Sequence, residues 1–81
     1  MLAFFPMTTT ASAWLVRFAD ELGLQMPSDD EVEALLALAG VAAHASERVA
    51  APISCWLAAR SGRPLPEAVA IADALALEFG T

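Results

Sequence analysis

Three helix-breaking positions divide the chain into four segments, and each segment carries the apolar spacing of a helix. The three are Gly23, Pro52 and Gly62, residue types that end one helix or begin the next. Between them apolar residues, most often alanine, recur every three or four positions, within a composition that is 58% apolar. Strand-favouring residues are sparse, whereas alanine and leucine are strong helix formers. The sequence therefore predicts an all-α fold, a single compact four-helix bundle-like domain.

The length of 81 residues allows one domain and no second lobe. We expect residues 1–9 to form a disordered or extended N-terminal segment and residues 10–81 to form the four-helix domain. Met7 is a plausible alternative start, which N-terminal mass spectrometry of the natively expressed protein would test.

The first two helices have clear local signals. Apolar residues of the first helix share one face, and Gly23 ends this helix. Ser28 and Glu31 form a capping box that starts the second helix. The second helix is expected to run to about Ser46–Val49. The first face consists of Ala11, Trp14, Leu15, Phe18 and Leu22, and the predicted buried stripe of the second helix of Val32, Leu35, Leu36, Ala39 and Ala43.

The last two helices are predicted from prolines. The third is expected from Pro52 to about Ser61, with Ile53, Trp56, Leu57 and the stem of Arg60 on one face, and the fourth from near Pro66. The inward stripe of the fourth helix is Leu65, Val69, Ala72, Leu75, Ala76 and Phe79. Its outward side still carries Ile71 and Leu77. Because a helix that is apolar nearly all round must be covered, these two residues are candidates for self-association in a homodimer.

The charge of the chain limits its partners, and its cysteine content bears on its cellular compartment. Ten carboxylates against four arginines give a net charge of −6, so the chain lacks the cationic surface that nucleic acids and anionic membranes require. No uncharged stretch reaches the length of a membrane span. The single Cys55 cannot form an intrachain disulfide. We therefore expect a cytoplasmic protein that binds neither nucleic acid nor membrane.

The stretch AHASERVAAPISCW, residues 43–56, concentrates the reactive side chains of the chain. It predicts an anion receptor, in which Arg48 faces the free N–H groups of Ile53, Ser54 and Cys55 at the start of the third helix. The predicted anion- or partner-binding residues are His44, Glu47, Arg48, Pro52, Ile53 and Ser54.

Other interpretations of this stretch stay open. His44 and Arg48 are equally consistent with structural roles, with Arg48 paired to Glu47, Glu33 or helix-ending carbonyls. Cys55 with His44 would form a thiolate pair, or Cys55 would be a small buried hydrophobe. One histidine and one cysteine are too few for a metal site. We predict no catalytic residues, no metal and no cofactor.

Several of these features resemble a small actinobacterial domain of unknown function. They are the tryptophan-led first helix (Trp14–Leu24), the capped acidic start (Pro27–Glu33), the run from His44 through Glu47 and Arg48 to Ala51–Pro52, and a closing Leu57–Ala58–Ala59–Arg60. That family occurs alone or fused to the C-terminus of molybdenum-cofactor guanylyltransferases, which make molybdopterin guanine dinucleotide. The resemblance implies an accessory role beside such a nucleotidyltransferase and brings no catalytic residues.

From the residues and the resemblance together we predict a non-catalytic accessory or binding module linked to molybdenum-cofactor biosynthesis. It would act by protein association or by anion binding. The alternative is a self-associating structural protein, a homodimer with no ligand.

Overall fold

The computed structural model describes residues 10–79, and within that range all regular structure is helical. Helix α1 spans Ala11–Leu22, α2 spans Asp29–Ala45, α3 spans Ala50–Ser61 and α4 spans Leu65–Glu78. The prediction of an all-α domain with four helices is confirmed. The predicted N-terminal segment 1–9 and the alternative start Met7 lie outside the described residues.

Local hydrogen bonds and a glycine close the ends of the first two helices. The Ala13 N–H donates to the Thr10 hydroxyl at the start of α1, and Gly23 ends this helix in the left-handed conformation with φ +73°. At the start of α2 the Glu31 N–H donates to Ser28 Oγ over 3.1 Å, while the Ser28 N–H donates to the Glu31 carboxylate over 2.8 Å. The capping box is therefore formed.

Ser28→Ala is expected to lower the free energy of unfolding by about 1 kcal/mol, because the Glu31 N–H loses its partner. Urea denaturation followed by far-ultraviolet circular dichroism measures this loss. Ser12→Ala is the matched control, since Ser12 is exposed within α1 and its side chain makes no hydrogen bond among residues 10–79. Equal stabilities of the two variants would contradict the capping role.

Helix α2 lies at the centre of the packing. It packs along both α3 and α4, whereas α3 and α4 approach each other over only a short stretch. Two residues of the described range are nearly inaccessible, Leu38 of α2 at 4% exposure and Ala58 of α3 at 7%. The core is therefore small and sits where α2 meets its neighbours.

The predicted buried stripe of α2 is partly wrong. Leu36 is 68% exposed, and Leu38, which the stripe omits, is the most buried residue of the described range. Val32, Leu35, Ala39 and Ala43 are half-buried. The physical reason is that α2 carries apolar residues on nearly every side, so apolar spacing does not determine which face turns inward.

The predicted helix boundaries shift by one to two residues at the prolines. α3 begins at Ala50 instead of Pro52, and α4 begins at Leu65 instead of Pro66. A proline within the first turn costs no helical hydrogen bond, because the N–H groups there have no helical acceptor. The N–H groups of Ala50 and Ala51 instead donate to the carbonyls of Glu47 and Arg48.

Helix α1 stands apart from the other three helices. No Cα atom of α1 lies within 8 Å of a Cα atom in α2, α3 or α4. The expected inward face, with Trp14, Leu15, Phe18 and Leu22, is exposed. Trp14 and Phe18 stack on each other with ring centroids 4.8 Å apart. The apolar face of α1 is thus formed as predicted but is not packed against its own chain.

Candidate binding surface

The six predicted binding residues gather at the corner between α2 and α3. His44 lies in the last turn of α2, Glu47 and Arg48 lie in the connection, and the other three lie early in α3. All are exposed except Ser54, which is half-buried. The structure therefore keeps the predicted set together on an accessible corner of the domain.

The amide groups of the predicted anion receptor are not at the end of a helix. Because α3 begins at Ala50, the free N–H positions are Val49, Ala50, Ala51 and Pro52. Pro52 has no N–H, and those of Ala50 and Ala51 donate to backbone carbonyls. The expected contribution of Ile53, Ser54 and Cys55 amides is wrong, because they lie beyond the first turn. Only the Val49 amide among these four positions has no acceptor.

Arg48 differs from the other three arginines in its surroundings. Arg17 pairs with Glu21 over 3.4 Å, Arg63 pairs with Glu67, and Arg60 lies over the Trp56 ring. Within residues 10–79 the Arg48 guanidinium has neither an ion pair nor a hydrogen bond, so the expected pairing with Glu47 or Glu33 does not form. Arg48 is an exposed positive charge on a chain of net charge −6.

Cys55 is half-buried against α2. Its thiol donates to the carbonyl oxygen of Leu35, with 3.7 Å between Sγ and the oxygen. Burial raises the pKa of this thiol above its ordinary value of 9.0. A nucleophilic cysteine needs the opposite shift. The geometry therefore favours the interpretation of Cys55 as a packing residue over a thiolate pair with His44.

We expect the Cys55 thiol to react with iodoacetamide at neutral pH at least ~10-fold more slowly in the folded chain than in the unfolded chain. The raised pKa keeps it protonated at that pH, and packing against Leu35 limits access. Mass spectrometry of timed samples, with and without guanidinium chloride, measures both rates. A folded-state rate equal to or above the unfolded rate would restore the thiol-enzyme interpretation.

An exposed surface lies on the side of α3 that faces away from α2. We call it the α3 outer face; it consists of Val49, Ile53, Trp56 and Arg60, spaced by four, three and four residues. Trp56 is 59% exposed, and the guanidinium carbon of Arg60 lies 5.0 Å from the centroid of its ring. Ile53, Trp56 and Arg60 belong to the single face predicted for the third helix, and all three are exposed. The sequence signal for a binding role of this face, which was not used, is the Trp56–Arg60 spacing, because it aligns a cation over an aromatic ring.

Among residues 10–79, no three histidine, cysteine, aspartate or glutamate side chains come together as a metal site would require. No helix in that range combines the length and the apolar character needed to cross a membrane.

Comparison with known families decides which family the chain belongs to. A family model described as a domain of unknown function, DUF6457, matches residues 7–79. The chain belongs to this family. No curated protein and no solved structure matches the chain. The resemblance to a small domain of unknown function is confirmed, whereas the actinobacterial source and the link with guanylyltransferases stay predictions.

Proposed function

We propose that this DUF6457 chain is a non-catalytic accessory module that acts by binding another protein through the α3 outer face. The observation that supports it is the exposed Trp56 with Arg60 stacked on its ring. Tryptophan and arginine dominate the binding energy of protein interfaces, because each buries a large area at a fixed geometry.

The surroundings of Trp56 also favour a protein partner. Val49 and Ile53 extend the apolar surface along α3, and both side chains are more than half exposed. Arg48 and Arg60 place positive charge at the edge of this surface, which suits an acidic rim on the partner. We expect Trp56 to bury its ring at the centre of the contact and the arginines to orient the partner.

The partner that we propose is a molybdenum-cofactor nucleotidyltransferase. This choice rests on the resemblance of the His44-to-Pro52 run and its flanks to a domain that occurs fused to guanylyltransferases. In such a pair the nucleotidyltransferase would perform the chemistry, and the present chain would supply a docking surface. The actinobacterial source and the cytoplasmic location belong to the same proposal.

The test is a calorimetric titration of the full chain into purified molybdenum-cofactor guanylyltransferase from the same organism. Trp56→Ala is expected to weaken binding at least ~30-fold, and Arg60→Ala to weaken it less. Leu36→Ala is the matched control, because Leu36 is an exposed apolar residue on α2. Absence of binding by the unaltered chain would reject this partner, and binding unchanged in Trp56→Ala would reject the α3 outer face.

Anion binding is a second candidate, favoured by the unpaired charge of Arg48. The Val49 amide is the one neighbouring N–H of the first turn without an acceptor, so the receptor is reduced to one cation and one amide. Titration of the chain with pyrophosphate tests it. Binding that disappears in Arg48→Ala, with helical circular dichroism intact, would support anion recognition, and absence of binding would remove it.

A further inference from the structure

An open groove runs between α3 and α4 on the surface of α2. It exists because α2 packs along both helices while these two scarcely contact each other. Two hollows of about 210 and 270 Å³ form it, and they adjoin, because Ser54, Ala72 and Leu75 line both. We call it the α3–α4 groove. Its larger apolar side chains are Leu38 and Val41 on the floor, Leu57 on the α3 wall, and Ile71, Leu75 and Phe79 on the α4 wall, and Arg63 lies at one end.

The groove is about as long as a short helix. Along α4 it extends from Ala68 to Phe79, about 17 Å at the rise of an α-helix. Helix α1 has 12 residues and is therefore about 18 Å long. The length of α1 matches the length of the groove.

The exposed face of α1 is also suited to the groove in chemistry. Trp14, Leu15, Phe18 and Leu22 lie within about a third of the helix circumference, and each is roughly half exposed. The ion pair of Arg17 and Glu21 lies to one side of this face. An isolated amphipathic helix of this length is marginally stable in water, so α1 gains stability by covering its apolar face.

We propose that α1 of one copy of the chain occupies the α3–α4 groove of a second copy, while the second copy's α1 occupies the groove of the first. Within its own chain α1 approaches none of the other helices, so both surfaces are available for exchange. Exchange of an identical element is a low-cost route to a dimer, because each contact forms twice.

The area that the exchange covers is that of a stable dimer. Half-exposed aromatic and aliphatic side chains on α1 and along the groove would bury on the order of 1,800 Å² over the two equivalent contacts, within the usual range for specific interfaces. This pairing uses a different surface from the α3 outer face, so its failure would leave the proposed function in place.

Sedimentation velocity at micromolar concentration provides the first test. The unaltered chain is expected to sediment with twice its mass of 8.5 kDa. Phe18→Asp on α1 and Ile71→Asp in the groove are each expected to raise the dimer dissociation constant at least ~30-fold, because each places a charge in the apolar contact. Both residues are exposed in the single chain, so folding is retained and is checked by circular dichroism.

Two matched controls carry the same change outside the contact. Val16→Asp alters the side of α1 away from the apolar face, and Leu77→Asp alters the side of α4 away from the groove, where Leu77 is 77% exposed. Both are expected to remain dimeric. Dissociation caused by Leu77→Asp would overturn the proposal, because the dimer would then use the outward side of α4. A dimer that resists both Phe18→Asp and Ile71→Asp would also overturn it.

Chemical cross-linking between two differently marked chains identifies the occupant of the groove. In a Cys55→Ala background, a Phe18→Cys chain is mixed with a Leu75→Cys chain and treated with a short bismaleimide. A linked species with one chain of each kind is expected, and the corresponding Val16→Cys and Leu77→Cys mixture should give none. A monomer of the unaltered chain would overturn the exchange. So would a third chain that carries both Phe18→Cys and Leu75→Cys and cross-links only within itself, because α1 would then fold back on its own groove.

Discussion

Leu38→Ala is expected to lower the free energy of unfolding by about 2–4 kcal/mol. Leu38 is the most buried residue of the described range, and it lies where α2 faces α3 and α4 together. Truncation removes its apolar contacts with both neighbours and leaves a cavity that the helices fill only in part. A chain of 81 residues has a total stability of about 4–12 kcal/mol, so this loss leaves the variant marginally folded.

Thermal denaturation followed at 222 nm measures this effect, with a decrease in melting temperature on the order of 10–20 °C. All samples need the same protein concentration, because a dimer makes the melting temperature depend on concentration. Leu36→Ala is the control on the same helix and is expected to stay within ~0.5 kcal/mol of the unaltered chain. If the two variants melted alike, the orientation of α2 described above would be wrong.

Ala58→Asp is expected to destabilise the fold by at least ~2 kcal/mol, because it places a carboxylate at the second nearly inaccessible position. Ala58 is 7% exposed, so the new carboxylate would lose most of its contact with water.

Ala59→Asp is the matched control for that change. It adds the same charge to the adjacent residue of α3, with nearly the same helix propensity and the same position near the end of the helix, but Ala59 is exposed. The difference between the two unfolding free energies in urea therefore isolates the burial of the charge. Equal effects would mean that Ala58 faces solvent.

Local signals made the helices predictable. The capping box of Ser28 and Glu31 and the left-handed Gly23 depend on a few neighbouring residues, so the sequence contains everything that determines them. The same holds for the all-α class. Pro52 misled the prediction of the α3 start, because a proline fits any position of a first turn and does not mark which one.

The orientation of faces was not predictable in the same way. In α2 both Leu36 and Leu38 are apolar, and only the positions of α3 and α4 determine that Leu38 turns inward. In α1 the spacing of Trp14, Leu15, Phe18 and Leu22 predicts a face that must be covered, but it carries no information about which surface covers it.

In the candidate site, too, only the features that neighbouring residues determine could be predicted. His44, Glu47 and Arg48 were placed together because they are neighbours in sequence. Whether amides near them are free depends on a helix boundary shift of two residues, and this shift removed the Ile53 and Ser54 amides from the predicted receptor. The face that holds Ile53, Trp56 and Arg60 was predicted, but its role as a binding surface was not, because exposure is a property of the packed structure and tryptophan is highly buried on average.

A core of two nearly inaccessible residues, Leu38 and Ala58, has a calorimetric consequence. Melting a single chain brings little additional hydrocarbon into contact with water, so its heat-capacity increment should fall below the ~1.0–1.2 kcal/mol/K that is usual for this length. If copies exchange α1, the increment per chain should grow as the solution is concentrated. Scanning calorimetry across a dilution series would then measure how much apolar surface each chain buries against its partner.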